Sequence, residues 1–97
     1  MPPSTPVVAL LTDFGCSDHY VASVKGTILS IVPTASIVDI AHDVEPQNVG
    51  RAAYLLWATY RDFPDRTVFI TVVDPGVGTS RDIIVASSGT KHFIGPK

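Results

Sequence analysis

Thr67-Val68-Phe69-Ile70-Thr71-Val72-Val73, running straight into Asp74-Pro75-Gly76-Val77-Gly78, is the most strand-like part of this chain. Six of the seven residues before Asp74 are β-branched, and such side chains pack well on a pleated, half-buried surface. The run does not alternate apolar with polar. A continuous apolar run is the mark of a strand covered on both faces, as in a parallel sheet flanked by helices. Two shorter runs upstream read the same way. Val7-Val8-Ala9-Leu10-Leu11 leads into Thr12-Asp13-Phe14-Gly15, and Ser36-Ile37-Val38-Asp39-Ile40 leads into Ala41-His42-Asp43. Each apolar run therefore ends on an acidic turn. If the three strands are parallel, the three turns leave the sheet at one edge, and open α/β sheets bind their ligands outside the carboxyl ends of their strands.

Between these runs the pattern changes period. Val21, Val24, Ile28 and Ile31 recur at helical spacing, with Ser17 or Asp18 available as a cap and Pro33 as the stop. After a polar loop over residues 41–47, Asn48 is placed to cap a second helix whose apolar stripe is Val49, Ala52, Ala53, Leu56, Trp57 and Tyr60. Phe63-Pro64-Asp65 closes it. Beyond the Gly/Pro loop over residues 74–80, residues 82–87 and 91–94 form two strands joined across Ser88-Gly89-Thr90, a hairpin. The order β-α-β-α-β plus a C-terminal hairpin predicts a three-layer α/β/α fold with a mainly parallel sheet. Right-handed crossovers would connect its first three strands. Residues 1–6 are Pro-rich and read as a loose tail, and 7–97 as one α/β domain. The chain stops at Gly95-Pro96-Lys97 directly after a strand, which leaves a sheet edge or face open, so the domain is expected to be incomplete at this end.

Composition narrows the function. The 97 residues are 45% hydrophobic and 16% charged, with a formal net charge of −2. That is a folded chain with a modest core. The seven Lys and Arg residues are scattered singly, so no nucleic-acid partner is expected. No window reaches the roughly 18–20 apolar residues of a membrane span, and Met1-Pro2-Pro3 lacks the basic start of a secretory signal. A single cysteine, Cys16, fits a reducing cytoplasm.

Each polar residue at the acidic edge has two readings. Asp13 can accept two hydrogen bonds from a vicinal diol such as a ribose, or it can satisfy its own turn. Asp18 can cap the first helix or hold an ammonium group, and Tyr20 beside it reads as an anchoring aromatic. Lys25 reads as a solvated helix residue. Gly26 costs about 1 kcal/mol in a helix interior, which predicts a close neighbour such as a packed strand or another subunit. Asp39, His42 and Asp43 lie near one another, but not in a strong zinc or calcium spacing, and His42 after a strand is more simply a hydrogen-bonded structural histidine. Asp74 and Arg81, seven positions apart across a glycine-rich turn, can orient a water molecule or close the loop as a salt bridge. The loop lacks both the dinucleotide and the phosphate-loop signatures.

Taken together the segments resemble one family. Leu11-Thr12-Asp13-Phe14-Gly15, Asp18-x-Tyr20-Val21 and Val24-Lys25-Gly26 match its opening. Val38-Asp39-Ile40-x-His42-Asp43-Val44-x-Pro46-Gln47 matches its second signature, Val72-Val73-Asp74-Pro75-Gly76-Val77-Gly78-Thr79 with Arg81 its third, and Phe93-Ile94-Gly95-Pro96 the start of its fourth. The chain resembles the N-terminal domain of the S-adenosylmethionine hydroxide adenosyltransferases, hydrolytic relatives of the fluorinase and chlorinase enzymes. The resemblance implies an N-terminal α/β domain followed by a β-barrel, assembled as a homotrimer with substrate between subunits. It implies attack of water or hydroxide on ribose C5′, giving adenosine and L-methionine, with no metal or cofactor and S-adenosylmethionine as the small-molecule substrate. Asp13 would grip the ribose, Asp18 and Tyr20 would lie toward the methionine end, and Asp74 and Arg81 would orient the nucleophile. Asp74 argues for hydrolysis over halogenation, because a carboxylate facing the nucleophile repels a halide. The family's histidine partner and barrel lie beyond Lys97, so the piece alone is expected to have little or no activity. A smaller departure is Arg66-Thr67, where relatives commonly carry Gly-Thr. The rival functions are a nucleoside-binding module without catalysis, a metal-dependent hydrolase using Asp13, Asp43 and Asp74, and a structural partner whose open sheet awaits another chain.

Overall fold

The computed structural model describes residues 5–15, 17–46, 48–73 and 83–96. Five strands and two helices follow one another as β1 (Val7–Thr12), α1 (Tyr20–Ile31), β2 (Ser36–Ala41), α2 (Val49–Thr59), a short 3₁₀ turn (Tyr60–Asp62), β3 (Val68–Val72), β4 (Ile83–Ser88) and β5 (Lys91–Pro96). The strands form one sheet in the order β2-β1-β3-β5-β4. β1 runs parallel to both β2 and β3, and β5 runs parallel to β3. Only β4, at the edge, is antiparallel. The α/β architecture and the mainly parallel sheet expected from the sequence are present.

Pro6 is tied to the sheet, its carbonyl accepting from the Ser36 amide at 2.7 Å. β1 lies between β2 and β3, and its Ala9, Leu10 and Leu11 are fully buried. Its side chains alternate between faces. Leu11 joins Val44, Ala52 and Val73 in a cluster closed by Ile40, Ala41, Leu55 and Leu56, which is the α2 side. Thr12 points to the other face, where α1 lies. Each leucine buried in this way contributes roughly 1.5–3 kcal/mol. Farther along the sheet, Phe69 stacks on Phe93 with ring centroids 5.0 Å apart and meets Phe63 edge-on at 5.1 Å.

Three local expectations change. α1 begins at Tyr20 with His19 as its N-cap residue and no side-chain cap, so neither Ser17 nor Asp18 closes it. Nothing among the described residues comes within 4 Å of the position a Cβ would take at Gly26, so no strand packs there. Trp57, counted into the α2 stripe, is 63% exposed and carries the Arg61 guanidinium over its ring. Asn48 does cap α2, its side chain accepting from the Arg51 amide at 3.0 Å. None of the described helices is long and apolar enough to cross a membrane.

Candidate functional site

The parallel register brings the carboxyl ends of β1, β2 and β3 side by side, and the turn after β1 is bonded to both neighbours. The Asp13 amide donates to the Val72 carbonyl of β3 at 3.3 Å, and the Gly15 amide donates to the His42 carbonyl beyond β2 at 2.6 Å. Asp13 is half-buried between these two anchors. Gly15 has φ +76°, a left-handed conformation that glycine adopts without steric cost, and this lets the chain turn back toward β2.

A register shift shapes the face beneath this turn. Leu10 pairs with Asp39 but Leu11 pairs with Ala41, so Ile40 is an extra residue in β2. Such a bulge re-aims side chains near a strand end. Here Asp39 faces α1, while Ile40 and Ala41 pack on the α2 side. A continuous side-chain network results. Thr12 Oγ1 and His42 Nδ1 are 2.8 Å apart, His42 Nε2 and Asp39 Oδ1 2.7 Å, and Lys25 Nζ donates to Asp39 Oδ2 at 2.7 Å. The Phe14 amide also donates to Thr12 Oγ1, at 3.2 Å. Thr12 and His42 are buried, whereas Asp39 is 41% exposed. Burial pushes the Asp39 carboxyl up, but the hydrogen bonds from Lys25 and His42, together with the Lys25 charge, outweigh it and hold the pKa below its ordinary value of 3.8.

The site residues named from the sequence fall into three groups. Asp13 lies in the turn after β1, and Asp18 and Tyr20 lie just before and at the start of α1. Tyr20 meets the Phe14 ring at 5.7 Å between centroids and His19 at 4.5 Å, which is the anchoring role expected of it. Asp18 lines a cavity of about 320 Å³ with Val21, Ala22, Lys25, Asp39 and His42. Asp43 is separate and lines a different hollow with Glu45 and Arg51. Asp74 and Arg81 lie outside the described residues, as do Cys16 and Gln47. Both ring nitrogens of His42 are engaged, as expected of a structural histidine. Among the described residues no group of three or more His, Cys, Asp or Glu side chains gathers as metal ligands. Lys25 is not a free helix lysine, because it reaches Asp39 fourteen positions away. Its spacing gives a signal that was open to view: Val21 and Lys25, four residues apart, fall on one face of α1.

Comparison with known proteins fits this geometry. Residues 8–97 match the SAM hydroxide adenosyltransferase N-terminal domain. The chain is 44% identical over 89 residues to a protein from Thermus thermophilus named (R)-S-adenosyl-L-methionine hydrolase, covering 92% of this chain and 34% of that one. It is 39% identical over 77 residues to a fluorinase from Actinopolyspora mzabensis, covering 79% of this chain and 26% of that enzyme. An uncharacterized conserved protein from Thermotoga maritima superposes with a TM-score of 0.85 at 46% identity, over 92% of this chain and 35% of its own. The chain thus spans about a quarter to a third of the length of these relatives. Motif order, sheet topology and these matches agree, and the chain belongs to the SAM hydroxide adenosyltransferase N-terminal domain family.

Proposed function

We propose that this chain supplies the adenosyl-holding half of an S-adenosylmethionine hydrolase. The observation that carries the proposal is the turn after β1, with Asp13 held between Val72 of β3 and the His42 segment beyond β2 at the carboxyl edge of the sheet. Asp13 accepts hydrogen bonds from the two ribose hydroxyls. Asp18 and Tyr20 face the methionine end, and Asp74 with Arg81 orients the nucleophile. In the reaction a water oxygen forms a bond to C5′ while the C5′–S bond breaks. The bonding pair leaves on sulfur, which becomes the neutral thioether of methionine, and the proton released from the attacking water passes to solvent. The sulfonium is already a good leaving group, so the protein's work is in-line placement of one water and exclusion of others. No metal or cofactor enters this scheme. Asp74 favours water over halide as the nucleophile. By the same reading the complete protein is a cytoplasmic homotrimer, with the rest of the site contributed by the length of the relatives that this chain does not span.

A chimera tests this. Residues 8–97 replace the matching segment of the Thermus thermophilus hydrolase, and the product is incubated with S-adenosylmethionine in ¹⁸O-water. Adenosine carrying the label at its 5′ oxygen, with methionine, is expected. The 97-residue chain alone should release little. A folded chimera that binds S-adenosylmethionine but releases no adenosine would refute the proposal. In the chimera Asp74→Asn should lower kcat far more than it changes KM, because its contact matters only when the nucleophile attacks.

A further inference from the structure

His42 touches the turn after β1 twice, and no role in the reaction scheme uses it. Its carbonyl accepts from the Gly15 amide at 2.6 Å, and its Nδ1 meets Thr12 Oγ1 at 2.8 Å. Thr12 and Gly15 flank Asp13 and Phe14, so both ends of the segment that carries Asp13 are tied to one residue. His42 is held in turn by Asp39, and Asp39 by Lys25 of α1. We infer that Thr12, His42, Asp39 and Lys25 form a positioning relay that sets the Asp13 turn, with the His42 ring fixed as the neutral Nε2–H tautomer. The inference rests on the proposed function only for what Asp13 then holds.

Hydrogen-bond valence fixes the tautomer. The Asp39 carboxylate only accepts, so Nε2 carries the proton and donates to it. Nδ1 then has a lone pair, and the Thr12 hydroxyl donates its proton there. Thr12 Oγ1 keeps its own lone pairs for the Phe14 amide, which donates to it at 3.2 Å. Every atom of the relay is satisfied in this one arrangement. The Nδ1–H tautomer would instead set the bare Nε2 lone pair against the carboxylate, a repulsive contact at 2.7 Å. Thr12 and His42 are buried, where a half-satisfied polar pair is costly, while Asp39 and Lys25 meet them from the partly exposed side. Lys25 completes the chain from the helix side and couples the seating of α1 to the turn.

Long-range ¹H–¹⁵N spectra of the histidine-labelled chain, with amide hydrogen exchange, test the inference without substrate. The expected spectrum shows a protonated Nε2 and an unprotonated Nδ1 for His42. An Nδ1–H ring, or a doubly protonated ring at neutral pH, overturns the assignment. Thr12→Val removes the hydroxyl with little change in shape. It should speed exchange at the Phe14 and Gly15 amides roughly tenfold, the scale of one buried hydrogen bond. Protection at Phe69 in β3 should hold. Thr12→Ser should restore the slow exchange, and Asp39→Asn, which keeps the side-chain shape but loses the charge, should loosen the same two amides. Unchanged exchange at Gly15 in both Thr12→Val and Asp39→Asn overturns the relay, as does an equal loss of protection at Phe69, which would mean general destabilisation. Adenosine titration separates this from the functional proposal. Failure of the wild-type chain to bind adenosine counts against the proposed function, while the exchange data still decide the relay. Binding that is unaffected although the turn is loosened overturns the positioning role.

Discussion

Two residues in the left-handed region make opposite predictions. Arg66 has φ +69° with its amide donating to Thr90, and Gly15 has φ +76° with its amide donating to His42. A side chain in this region costs about 1–2 kcal/mol, and glycine costs roughly 0.5–1 kcal/mol of additional unfolded-state entropy. Arg66→Gly should therefore stabilise the chain by a few tenths to about 1 kcal/mol, seen as a higher denaturant midpoint at unchanged slope. Gly15→Ala should lower it by about 1 kcal/mol, although among the described residues beyond its chain neighbours no atom stands within 4 Å of the new Cβ. This places the Arg66 departure from the family pattern: it is a strained turn residue, where the sequence alone marked only a lesser change. Asp39 gives a pH prediction. Its folded pKa lies below 3.8, so its contribution is complete above the unfolded pKa and is lost as pH falls through the lower folded value. Asp39→Asn should flatten the acid limb of the stability profile below about pH 4 and change its shape little at neutral pH. The effect is small because the side chain is 41% exposed.

At the scale of elements, local signals were legible and long-range ones were not. Asn48 was readable as a cap because an N-cap needs only its own side chain and the first turn. Asn48→Ala should cost about 1 kcal/mol in denaturant unfolding. The strand runs were readable because continuous apolar sequence needs burial on both faces, and β1 has it. The start of α1 misled because Ser17 and Asp18 are sound local caps, yet the helix begins only at Tyr20. The bulge at Ile40 left no local trace, since a register shift is a property of two strands. That shift, which falls after Asp39, sets His42 beside Thr12, so the relay was hidden with it. The hairpin was legible as a hairpin. Its docking through β5 onto β3, with β4 outermost, was not, because β4 and β3 are separated by a long connection. Asp13, Asp18 and Tyr20 were named from motif order; in the structure Tyr20 meets Phe14 of the turn that carries Asp13, and Asp18 lines the cavity beside Lys25, Asp39 and His42.

At the scale of the whole molecule the sheet has two edges, β2 and β4, and β4 is the more exposed. β4 ends the sheet with Ile83 and Val85 exposed at 73% and 67%, and its outer backbone edge is a template for another strand. The isolated chain should self-associate as its concentration rises, and Val85→Lys should suppress this in sedimentation experiments. Unchanged association would place the sticky surface elsewhere. The central claim concerns the opposite feature, the convergence of the β1, β2 and β3 ends on a ribose held by Asp13. The most direct measurement is amide-resolved NMR titration of the chain with adenosine and with 2′,3′-dideoxyadenosine. Adenosine should move the Asp13, Phe14 and Gly15 signals, and the dideoxy analogue should bind roughly tenfold more weakly or worse, the scale of charge-assisted hydrogen bonds to a diol. Equal affinity for the two nucleosides, or shifts centred on Val7, Ser36 and Val68 at the far end of the strands, would contradict the account.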